Sequence, residues 1–127
     1  MTILVAYAAA PEGREALTEG IKEAHLRKSD LLIVNTGRGH HDLEDQEMRE
    51  LESQLSAAGL TLTIESSVLA DPGDAVIQIA QDRNVEMIVI GLRHRTATGK
   101  LIFGSDAQRI LLDVECPVLA VKAVRGS

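Results

Sequence analysis

The stretch TILVAYAAAP, Thr2 to Pro11, opens on a run in which apolar residues do not alternate with polar ones. A strand with one wet face alternates. An unbroken run suits a strand buried on both faces, as in a parallel sheet covered by helices. Pro11 fits the first turn of a helix, and Ala16, Leu17, Ile21 and Ala24 then fall on one stripe. Strand followed directly by amphipathic helix is the unit from which α/β folds are built.

The unit recurs along the chain. DLLIVNT, Asp30 to Thr36, reads as a second buried strand, followed by a polar GRGHHD loop and a helix with Met48, Leu51, Leu55 and Ala58 on one face. Gly59 stops that helix. In LTLTIES, Leu62 and Ile64 alternate with Thr61, Thr63 and Glu65, which predicts an edge strand with one wet face. Asp71 caps the next helix, Pro72 occupies its first turn, and Val76, Ile79 and Ala80 form its buried stripe. VEMIVIG, ending at Gly91, is a fourth strand and CPVLAVKA a fifth, with a short helix carrying Ala107, Ile110 and Leu111 between them. Right-handed crossovers then predict an α/β fold: a five-stranded, parallel, doubly wound sheet covered on both faces.

The totals bound what such a domain does. A chain of 127 residues fits a single domain, residues 1–127, with a real core. Aromatic residues make up only 2% of it, so Val, Ile, Leu and Ala build that core and few stacking platforms exist for single-stranded nucleic acid. The net charge of -6 argues further against nucleic acid as a partner. Cys116 is the single cysteine, which excludes an intrachain disulfide, and it reads as a buried structural thiol. MTILVAYAAA lacks a basic n-region, and no apolar run is long enough to span a bilayer, so a cytoplasmic setting without membrane contact is expected. Val118, Leu119, Ala120 and Val121 are consecutively apolar in a final strand at a sheet edge, an arrangement that pairing with a second copy would cover. A homodimer through that strand is the expectation.

Between the fourth strand and the short helix lies GLRHRTATGKLIFGSDAQR, Gly91 to Arg109. Arg93, His94, Arg95 and Lys100 sit between two glycines with no acidic residue among them, in a chain that is acidic overall. Ligands of open α/β sheets bind beyond the carboxyl ends of the strands, where this loop lies. Gly91 and Gly104 let backbone approach a ligand, and a helix starting after Gly104 points free N–H groups at an anion. The same residues also fit a ligand-free reading, in which Ser105-x-x-Gln108 forms a capping box. ATGKL is not a P-loop, because His94 and Leu101 stand where glycine and a hydroxyl residue are needed, and no dinucleotide fingerprint follows strand one.

Gly91-x2-His94-x9-Gly104-Ser105 resembles the G-x2-G-x9-G-[S/T] signature of the universal stress protein family. The likeness extends over the whole chain, and the ending GKLIFGSDAQRILLDVECPVLAVK is similar to actinobacterial-type members. The resemblance implies a Rossmann-like, adenine nucleotide-binding-like fold, strand order 3-2-1-4-5, and dimerisation through the last strand. It implies an adenine nucleotide (ATP, with Mg²⁺, or AMP or cyclic AMP) between the ends of strands one and four. By that resemblance Gly91 and Leu92 lie along ribose and phosphate, and Arg93 and His94 are candidate nucleotide-binding residues that add positive charge at the mouth. Gly104, Ser105, Asp106 and Ala107 present donors to phosphate, while Val34, Ala6 and Ala8 border base and sugar. Two departures stand out. His94 replaces the middle glycine, and Ala8 stands where nucleotide-binding members commonly carry an aspartate. The missing carboxylate removes a hydrogen-bond acceptor worth about 1–3 kcal/mol.

His40, His41 and Asp42, with Glu44 and Asp45, read as a polar turn rather than a metal site, since adjacent histidines point apart. No nucleophile, base and orienting acid form a triad, and G-x-S-x-G is absent. The expected role is therefore binding in a stress response, not turnover. A nucleotide-free interaction protein with a degenerate site, and a slow ATP hydrolase, are the alternatives.

Overall fold

The structure is a computed structural model that describes residues 1–8, 10–36, 45–66, 71–94 and 100–123. Its elements follow in the order β1 (Thr2–Tyr7), α1 (Pro11–Arg27), β2 (Asp30–Asn35), α2 (Asp45–Ala57), β3 (Leu62–Ser66), α3 (Pro72–Arg83), β4 (Met87–His94), β5 (Leu101–Ile102), α4 (Ser105–Asp113) and β6 (Val118–Lys122). β1 lies between β2 and β4, with β3 outside β2 and β6 outside β4, and all four pairings are parallel. These strands make the expected five-stranded parallel sheet of order 3-2-1-4-5, in which β6 is the fifth strand.

Side-chain alternation along each strand sends apolar groups to both faces. From β1, Ile3, Val5 and Tyr7 join Leu17, Leu51 and Leu55 under α1 and α2. Leu4 joins Val34, Val76, Ile90 and Ile110 under α3 and α4. Ile3, Leu4, Val5, Leu31 and Ile88 are wholly excluded from solvent, as an unbroken apolar strand requires.

Punctuation residues act as their chemistry predicts. The Asp71 side chain accepts hydrogen bonds from the N–H groups of Gly73 and Asp74, and Pro72 follows in the first turn of α3. Gly59 takes a left-handed φ of 77° just past α2.

Five local expectations are corrected. β4 runs on to His94 and is met there by β5, antiparallel, with Arg93 opposite Ile102 and His94 opposite Leu101. A two-residue ladder is too short to leave a period in sequence. Ser105 is the first residue of α4 and Gly104 is its N-cap, with no side-chain cap bond, so the capping box does not form. Leu111 is 43% exposed, because α4 is short and turns only Ile110 fully inward. Ala58 lies beyond the end of α2 and is exposed. Cys116 is partly buried, and burial raises its thiol pKa.

Candidate functional site

Parallel strands deliver their carboxyl ends to one edge of the sheet, and a cavity of about 240 Å³ opens there. Ala6 and Ala8 come to it from the end of β1, and Ile90, Gly91 and Arg93 from β4. Glu12 and Gly13 come from the start of α1, Thr36 from the end of β2, and Ile102 from β5. Gly104, Ser105, Asp106, Ala107 and Ile110 close it from α4. The floor is apolar, through Ala6, Ile90 and Ile110, whereas the rim is polar.

The rim gains its character from helix ends. α1 and α4 both begin at this cavity, and neither N-cap residue, Ala10 or Gly104, makes a side-chain cap bond. The first N–H groups of an α-helix have no partner inside the helix and carry the positive end of its dipole. α3 is different, because the Asp71 carboxylate occupies its end. The Asp74 N–H, then the Gly73 N–H and the Arg109 guanidinium, hold that carboxyl below the usual carboxylate range. Arg109 of α4 pairs with both Asp71 and Asp74, tying the middle of α4 to the start of α3. The donors at the cavity therefore belong to the two helices that lack side-chain caps.

Gly91 and Gly104 differ in why they are glycine. A Cβ on Gly91 would lie 2.1 Å from the Glu12 carbonyl oxygen, so the close packing of α1 on β4 requires the bare backbone. A Cβ on Gly104 would meet nothing within 4 Å, and its φ of -64° suits any residue. Nothing in the protein's own packing requires glycine there.

Of the residues singled out in the sequence, Ala6, Ala8, Gly91, Arg93, Gly104, Ser105, Asp106 and Ala107 share this cavity. Val34 and Leu92 do not line it. Val34 is wholly buried beside Leu4 and Val76, and Leu92 is 5% exposed, its carbonyl accepting the Ala123 N–H. His94 is placed at the end of β4 as backbone, and its side chain, like Arg95, lies outside the described residues. His40, His41, Asp42 and Glu44 also lie outside them. Among the described residues no group of three or more His, Cys, Asp or Glu is placed to hold a metal ion, and no helix is long and apolar enough to cross a membrane.

Sequence reading missed Glu12, Gly13, Thr36, Ile90, Ile102 and Ile110 as wall residues. Glu12 was legible in principle, since it follows the proline that opens the helix after β1. That position puts it at the strand's carboxyl end.

A sequence profile described as the universal stress protein family matches residues 1–122. A universal stress protein of Mycolicibacterium smegmatis is 38% identical over 125 residues, covering 94% of this chain and 96% of the relative. The solved universal stress protein from Archaeoglobus fulgidus superposes with a TM-score of 0.66 at 28% identity, covering 96% of this chain and 93% of that one. A universal stress protein from the same organism, solved in complex with dAMP, gives 0.62 at 22% identity, with 95% and 96% covered. Fold, signature spacing and these likenesses agree, and the chain belongs to the universal stress protein family.

Proposed function

We propose that this chain, acting as one domain over residues 1–127, binds an adenine nucleotide in the cavity between the ends of β1 and β4. It serves a stress response by binding rather than by turnover. The observation that carries the reading is the convergence of two helix N-termini without side-chain caps on one cavity, while α3 is sealed by Asp71. Uncapped N–H groups and aligned dipoles make an anion site. The apolar floor of Ala6, Ile90 and Ile110 suits a base or sugar face, and Arg93 adds charge at the rim. The dAMP complex of the Archaeoglobus fulgidus protein supports an adenylate as the ligand class.

Gly104 makes the test clean. In Gly104→Val with Ser105→Ala, the valine has open space and an ordinary φ, so the fold is retained while the approach to the α4 donors is obstructed. Purified protein is denatured and the released small molecules are identified by mass spectrometry, followed by titration with ATP, AMP and cyclic AMP, with and without Mg²⁺. A near-stoichiometric adenylate in the wild type and none in the folded double variant is the expected result. A wild type that binds no adenylate would sink this reading in favour of a nucleotide-free interaction protein. Release of ADP or AMP from ATP would replace it with the hydrolase.

We also place a homodimer contact on β6, in a cytoplasmic setting. β6 pairs only with β4 among the described strands, leaving its outer edge open beside the partly exposed Val118, Leu119 and Val121.

A further inference from the structure

Each of the two N-termini at the cavity carries its own carboxylate. Glu12 is the second residue of α1 and Asp106 the second of α4, and both line the same wall-to-wall space. The backbone and Cβ of Glu12 pack against Gly91, which holds the residue at the cavity wall. Asp106 is fixed on the opposite side, its carboxylate close to Gly73 of α3. Among the described wall residues these two are the acids and Arg93 is the single cation. The α3 terminus solves its charge balance differently, through Asp71, Asp74 and Arg109 together.

We infer that Glu12 and Asp106 are specificity-determining residues that limit the charge of the bound nucleotide, favouring adenylates with one phosphate group over ATP. The inference rests on the adenylate reading above. The helix N–H donors suit one phosphate, and each added phosphate brings further negative charge into a cavity that already holds these two acids. ATP carries about four negative charges and cyclic AMP about one, so repulsion from a fixed carboxylate is about four times larger for ATP.

Glu12→Gln and Asp106→Asn remove one charge each with little change of shape. Glu52→Gln, on the exposed face of α2, makes the same change of net charge away from the cavity. Affinities of the four full-length proteins for ATP, AMP and cyclic AMP are measured by calorimetry at low salt without Mg²⁺, after thermal melts establish folding. The wild type is expected to bind cyclic AMP and AMP more tightly than ATP. Each cavity variant gains about tenfold for ATP and about twofold for cyclic AMP, and Glu52→Gln leaves the ratio unchanged. ATP bound as tightly as the monophosphates, or a ratio that the cavity variants do not move, overturns the inference and leaves the adenylate reading intact. No binding of any adenylate to the wild type overturns both.

Discussion

Gly91 of β4 and Glu12 of α1 touch through their backbones, so closely that a Cβ on Gly91 would sit 2.1 Å from the Glu12 carbonyl oxygen. The contact joins the first helix to the fourth strand at the mouth of the cavity. Gly91→Ala therefore forces α1 away from the sheet and is expected to cost about 1–3 kcal/mol, as overpacking does. Urea denaturation measures it. Gly104→Val, by contrast, meets no clash and loses only the N-cap preference of glycine over valine, so it costs less stability while obstructing the ligand. Equal destabilisation by the two would contradict the packing difference.

Tyr7 buries its hydroxyl without a hydrogen-bond partner among the described residues, beneath α1 and α2. Burial also raises the pKa of the phenol, so it stays neutral through the physiological range. An unpartnered buried donor is costly, so Tyr7→Phe is expected to be neutral or to stabilise by about 1–3 kcal/mol. A lower melting temperature for this variant would show that the hydroxyl is satisfied after all.

Asp71 supplies the pH dependence whose sign is fixed. Its folded pKa is lowered, so its contribution to stability is present above the ordinary carboxylate range and is lost as pH falls through the folded value. Asp71→Asn retains a capping oxygen but not the charge that faces Arg109. The variant is expected to be less stable than wild type near neutral pH, with the gap closing in strong acid. Denaturant midpoints across that range read it directly, and a gap independent of pH would remove the charge from the account.

Cys116 is half-shielded and its thiol pKa is pushed up by burial, which keeps the thiolate scarce. Iodoacetamide is expected to label the native protein slowly at neutral pH, and quickly once urea unfolds it. Fast native labelling would require a more open environment than the one beside Val114 and Val85.

For the dimer, Ala120→Asp places a charge on the exposed face of β6 without touching the core. Sedimentation is expected to show a dimer for wild type and a monomer for the variant. A wild type that sediments as a monomer would remove the β6 contact.

The parallel sheet was legible because β1, β2 and β4 are apolar on both faces, a pattern that only helices above and below can bury. Helix ends were legible where one residue type decides them, as at Asp71 and Gly59. β5 was not, because two residues have no period, and the extension of β4 to His94 went with it. Much of the cavity could be read from the continuous stretch Gly91 to Ala107, through Gly91, Arg93, Gly104, Ser105, Asp106 and Ala107. Glu12 and Thr36 come from other crossovers, and only the sheet brings them to the same edge. The failed capping box has a geometric cause: α4 starts one residue earlier than the box requires, so Ser105 stands inside the helix.

The double ion pair of Arg109 bears on motion as well as on charge. α4 has nine residues, too few to hold a helix by itself, and it meets α3 along its inner face while Arg109 grips the first turn of α3. The backbone amides of α3 and α4 should exchange with solvent deuterium as a single cooperative block. Opening that block would dismantle one side of the cavity while β1 and the outer strands stayed paired.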